Sequence, residues 1–131
     1  MTSDRPRKAL AAMMLGIGTL HFLTPRFFDE LIPRSLGNAR AWTYASGAAE
    51  LTAGALVLDR RTARFGGWAA FAVILGVWPG NWKMAIDAGT PHDAASWVAW
   101  LRLPLQIPLL LWARHVARTA TPDQSLLERS A

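Results

Sequence analysis

The chain has 131 residues and no cysteine, which excludes disulfide frameworks, thiolate metal sites and dithiol redox motifs. Apolar residues make up 52% of it and charged residues 18%, below the roughly 25% usual for soluble domains. That composition argues against a disordered tail or a nucleic-acid arm despite a formal charge of +5.

The length suits one domain. The apolar residues fall into four long stretches separated by short polar ones. This predicts an all-α fold: a four-transmembrane-helix bundle with spans over about 8–24, 41–58, 65–86 and 93–114, then a polar cytoplasmic tail over 115–131. Each stretch is near the ~20 residues that cross a bilayer as a helix. Each is apolar nearly all round, whereas helices of a soluble bundle carry a charged outer face.

The first stretch follows Arg5, Arg7 and Lys8. No small-x-small cleavage site follows it before Pro25, so it is expected to be a retained span. It carries His21 near its end. The next segment, residues 24–40, reads as a short amphipathic helix in the outer interface. Thr24 is expected to cap it and Pro25 to open it. Phe27, Phe28, Leu31 and Ile32 form its apolar face, with Asp29 and Glu30 turned away and Pro33 at its end.

The second stretch places Thr43, Ser46, Gly47, Glu50, Ala53 and Gly54 on one small, polar face, suited to close helix approach in lipid. The third contains Trp78-Pro79-Gly80-Asn81-Trp82-Lys83, where a proline is expected to break the helix and Asn81 to meet the freed carbonyls. Thr90-Pro91-His92-Asp93 reads as a capping box opening the fourth stretch, which carries Arg102, Pro104, Gln106 and Pro108.

Basic residues set the orientation. Arg5, Arg7, Lys8, Arg60, Arg61, Arg64, Arg114, Arg118 and Arg129 fall on one side of a four-span topology, and Arg26, Arg34, Arg40 and Lys83 on the other. Both termini are therefore expected in the cytoplasm of a cell-membrane protein.

Ionisable groups inside spans are costly and mark candidate sites. His21, Glu50, Asn81, Arg102 and Gln106 are expected at one depth, in the outer half of the bilayer. Glu50 and Arg102 are the expected ion pair, since neither charge is tolerable alone in hydrocarbon. The predicted site is one small pocket lined by these five residues and walled by Tyr44, Trp78 and Trp82. The plain alternative is that the polar band only locks the helices together.

Leu20-His21-Phe22-Leu23-Thr24-Pro25, Leu31-Ile32-Pro33, Tyr44 through Glu50 with Gly54, Trp78-Pro79-Gly80-Asn81 and Leu101 through Gln106 resemble, in order and spacing, the DoxX-like family of small four-helix membrane proteins. The likeness spans about residues 9–114. Some members are linked to membrane oxidoreductase systems, including quinone-reducing thiosulfate oxidation. The resemblance implies an accessory or anchor subunit with a quinone- or lipid-like ligand site and an oxidoreductase partner. No cofactor is expected to be covalently bound, and electrons would come from the partner, since only His21 lies at membrane depth and a bis-histidine haem needs two. No nucleophile–base pair or metal cluster points to an independent enzyme. A non-catalytic scaffold and a small oligomeric transporter remain the other readings.

Overall fold

The computed structural model describes residues 4–121 and 128–129. Among the described residues five α-helices follow one another: α1 (Arg5–Leu23), α2 (Pro25–Asp29), α3 (Ala39–Leu58), α4 (Ala63–Ala88) and α5 (Ala94–Thr119), with a 3-10 turn over Arg34–Leu36 before α3. The four long helices run antiparallel in sequence order. They pack α1 on α3, α3 on α4 and α4 on α5, and a smaller α1–α5 contact closes the bundle.

Local chemistry sets the helix ends. Thr24 leaves helical geometry at φ −127° and ψ 54° because Pro25 follows it, and α2 begins at that proline. The Thr24 hydroxyl does not cap α2 as expected; it donates to Leu20 O at 2.9 Å. Asn38 opens α3 by accepting from Ala41 N at 3.2 Å. Gly89, at φ +68°, closes α4, a conformation that suits glycine. The predicted capping box exists one turn later than expected. It is Asp93 with Ser96, each side chain taking the other's backbone amide, at 2.9 and 3.1 Å.

Pro79, Pro104 and Pro108 lie inside continuous helices, so the predicted breaks are absent. A proline removes one amide and crowds the preceding turn, but packing on both sides holds the helix through it. α5 also runs to Thr119, so the expected tail begins as helix. Its remainder over 122–127 and 130–131 lies outside the described residues.

The helices meet along small residues. A Cβ at Gly18 would lie 3.0 Å from the Leu51 side chain and backbone, and one at Gly47 would lie 2.6 Å from His21 Cβ. Gly66 sits against the Leu56–Val57 backbone and Gly67 against Ala117. Most buried apolar residues are alanines, with Leu10, Met14, Val57, Ile74, Leu103 and Val116 the larger ones. Large side chains point outward instead: Leu23 is 71% exposed, Phe65 69% and Leu101 60%. Among the described residues one helix, α5, is long and apolar enough, by length and composition, to cross a membrane.

The end of the bundle that holds the α1 N-terminus is tied by Arg7, which is buried although it was expected only as one of the basic residues that set orientation. Its Nη1 donates to Val57 O at 2.9 Å and to Leu58 O, satisfying carbonyls in the last turn of α3. Asp4 bonds both Arg7 and Arg60, and Trp112 Nε1 donates to Pro6 O at 3.0 Å across the α1–α5 contact.

Candidate functional site

The opposite half of the bundle holds the polar side chains. His21, Thr43, Glu50, Asn81 and Gln106 are all buried. Close α1–α3 packing explains why His21 and Glu50 meet. Gly47 leaves room for His21 on one helix, and Gly18 lies against Glu50 on the other. His21 Nδ1 stands 3.4 Å from Glu50 Oε2, and both side chains are under 10% exposed.

This pair replaces the expected Glu50–Arg102 bridge. Arg102 instead donates to Met84 Sδ at 3.8 Å, and among the described residues no carboxylate lies within ion-pair distance of it. The reason is topological: α5 packs chiefly on α4, while α3 packs on α1 and α4. Two residues at equal depth touch only if their helices are neighbours in the bundle.

His21 Nδ1 also lies 2.9 Å from Ile17 O. A carbonyl only accepts, so Nδ1 carries the proton, and the second ring nitrogen is left to a further partner. Glu50 Oε2 is buried and has no hydrogen bond. Over the imidazole lies Phe28, stacked with ring centroids 3.7 Å apart and planes 20° apart. The sequence turned Phe28 toward lipid with Phe27. Phe27 is indeed exposed, but α2 is one turn shorter than expected and Phe28 folds back onto His21.

Asp29, expected to face away, faces α3. Its Oδ1 accepts from Thr43 Oγ1 at 2.6 Å and its Oδ2 from Arg40 Nε at 2.9 Å. The Thr43 hydroxyl, and then Arg40, hold its carboxyl below the ordinary 3.8. A depressed folded-state pKa contributes stability above the unfolded value, and that contribution is lost as pH falls through the folded one. Amide hydrogen exchange over residues 24–37, corrected for intrinsic rates, should therefore rise as pH drops below about 4. In Asp29→Asn it should already be high at neutral pH and insensitive to that drop. A pH response surviving in Asp29→Asn would assign it to other groups.

The other predicted residues are spread along the bundle. Gln106 Nε2 donates to Ile74 O at 3.2 Å, one residue before the carbonyl that Pro79 leaves without its amide. Among the described residues, neither Gln106 nor Asn81 makes a side-chain bond to the freed Leu75 carbonyl itself. Asn81 is 6% exposed and makes no side-chain hydrogen bond to a described residue. Gly66 on α4 meets Val57 on α3, and equal steps along the two antiparallel helices bring Ile74 near the level of Glu50. His21, Glu50 and Gln106 therefore share one tier. Arg102 lies about 6 Å and Asn81 about 10 Å farther toward the α2 end, at 1.5 Å per residue. The band expected at one depth is two tiers.

The expected aromatic wall is also dispersed. Tyr44 and Trp82 are exposed, and Tyr44 stacks on Phe22 at 5.2 Å on the outer surface of the α1–α3 pair. Trp78 is half-buried against Ala85, Ala99 and Leu103, and its Nε1 is buried without a partner. A recess of about 500 Å³ lies elsewhere, lined by Leu51, Thr52, Ala55, Leu56, Asp59 and Thr62, and shares none of the predicted residues. Among the described residues no group of three or more His, Asp or Glu is placed to hold a metal ion.

The arrangement joins an acid and an imidazole in an apolar setting, with one carboxylate oxygen open to a hydrogen-bond donor and a ring face already used for stacking. No curated protein and no solved structure matches the chain. The family profile described as "Domain of unknown function (DUF8561)" matches residues 10–117, from within α1 to near the end of α5, and the chain belongs to that family.

Proposed function

We propose that the chain is a four-span integral membrane protein with both termini cytoplasmic, serving as an accessory or anchor subunit of a membrane redox system. In this reading a quinone- or lipid-like molecule binds beside His21 and Glu50. The observation that carries it is the buried Glu50 Oε2, without a hydrogen bond, next to His21. A buried polar atom left unmet costs about 1–3 kcal/mol, more if charged, and a donor hydroxyl, as on the reduced quinol form or a lipid headgroup, would recover that cost.

The membrane part is supported by a bundle that keeps small residues inside and large apolar ones outside. Only 22% of the most apolar stretch of α5 is buried, whereas the core helix of a soluble protein would be mostly covered. Lys8, Arg61, Arg64, Arg114 and Arg118 are exposed at the Arg7 end, in keeping with a cytoplasmic face there. The resemblance to DoxX-like proteins supplies the quinone-linked partner.

A scaffold role is the second reading, and the local bonds of Gln106 to Ile74 and Arg102 to Met84 favour it. Mass spectrometry of lipid extracted from the purified protein in nanodiscs separates the two. Enrichment of a quinone over bulk lipid, lost in a folded Glu50→Leu variant, is the expected result. Bulk lipid alone in both proteins would leave the scaffold. An alkaline phosphatase fusion after Ala131 should be inactive and a fluorescent protein fusion active. The reverse would overturn the orientation.

A further inference from the structure

We infer that α2 is a latched lid over the His21–Glu50 pair, with Phe28 as a plug occupying the ring face that a ligand would use. The inference rests on the ligand-site reading above and adds how the site is reached.

The segment is built to move as a unit. It is bounded by the Thr24 kink and by Gly37, which has φ +81° and no side-chain or backbone atom within 4 Å of where a Cβ would lie. None of the five residues of α2 is fully buried, and Leu31, Ile32 and Pro33 after it are only half-buried, so the segment lacks a fully buried apolar anchor. Its attachments are discrete. Phe28 stacks on His21, Asp29 takes hydrogen bonds from Thr43 and Arg40, Glu30 O accepts from Lys83 Nζ at 3.0 Å, and Leu36 O accepts from Trp42 Nε1 at 3.0 Å. Most of these are polar contacts at the rim, while the site beneath keeps an unmet carboxylate oxygen.

Swinging α2 away removes one aromatic ring from the imidazole and leaves a slot of ring thickness. The ligand class that fits is a flat ring bearing a hydroxyl, stacked where Phe28 lies and donating to Glu50 Oε2. A ring with carbonyls alone would leave that oxygen unmet. Such a molecule, with an apolar tail, would come from the membrane surface layer that α2 faces.

The absence of cysteine makes the test clean. Diethyl pyrocarbonate modification of His21, mapped by peptide mass spectrometry, reports lid opening, with exposed His92 and His115 as internal references. Asp29→Asn, which keeps shape and removes charge, should raise the His21 rate about tenfold, as expected for losing charge-assisted hydrogen bonds. The oxidised Asp29→Cys/Thr43→Cys pair should drop it below the wild-type rate, with recovery on reduction. An unchanged His21 rate in both variants would overturn the lid. Decylubiquinol added to nanodiscs supplies the separate arm, and it should protect His21 in Asp29→Asn more than decylubiquinone does. A His21 rate that follows the latch while neither compound protects keeps the lid and discards the quinone-type ligand.

Discussion

Gly66→Ala should destabilise the protein by about 1–3 kcal/mol or more, the range of overpacked cores, despite alanine's better helix propensity. The added methyl would lie 2.5 Å from both the Leu56 carbonyl carbon and the Val57 amide nitrogen. These are backbone atoms, so no rotamer change relieves the contact. Either α4 retreats from α3 or the last turn of α3 deforms. That turn also presents the carbonyls of Val57 and Leu58 to Arg7, so its distortion loosens the same end of the bundle. Gly76→Ala is the matched control, because nothing lies within 4 Å of its Cβ position. It should be neutral or stabilise by up to about 1 kcal/mol. Unfolding titrations in mixed micelles compare the two, and equal stability of Gly66→Ala and Gly76→Ala would contradict the close α3–α4 contact.

The second large effect concerns the buried pair. His21→Leu should cost about 1–3 kcal/mol, because it leaves the buried Glu50 carboxyl without its polar neighbour. Adding Glu50→Leu should recover much of that loss, since an apolar pair of similar volume needs no partner. The coupling should be absent between Glu50 and Arg102, whose substitutions to leucine should add within about 0.5 kcal/mol. The reverse pattern, with Glu50 coupled to Arg102 and not to His21, would mean that the helices are arranged differently from this structure.

Much of the architecture was legible in the residues. Four apolar runs with small residues at spacings of three and four specify long helices and their contact stripes, because helix periodicity is local. The burial of His21, Glu50, Asn81 and Gln106 was legible too, since each lies in an otherwise apolar run. The bonds of Arg7 were missed because an arginine before a span reads only as a flanking charge that sets orientation. Only the α3 carbonyls brought to it by the bundle show otherwise.

Partner choice was not legible. Glu50 had four polar candidates on other helices, His21, Asn81, Arg102 and Gln106, and matching depths gave Arg102 the strongest claim on charge alone. The order of packing decided for His21, through glycines at positions 18 and 47 that let α1 and α3 approach closely. The same holds for Phe28, whose neighbours in sequence place it on an interfacial face, whereas the kink at Thr24 returns it to the imidazole. Sequence by itself determined which residues form helices and which polar groups leave water, since both follow from short-range periodicity and transfer cost. Tertiary structure alone decided which of those groups touch, because a side-chain contact depends on which helix faces lie against one another, and that is a property of the whole packed bundle.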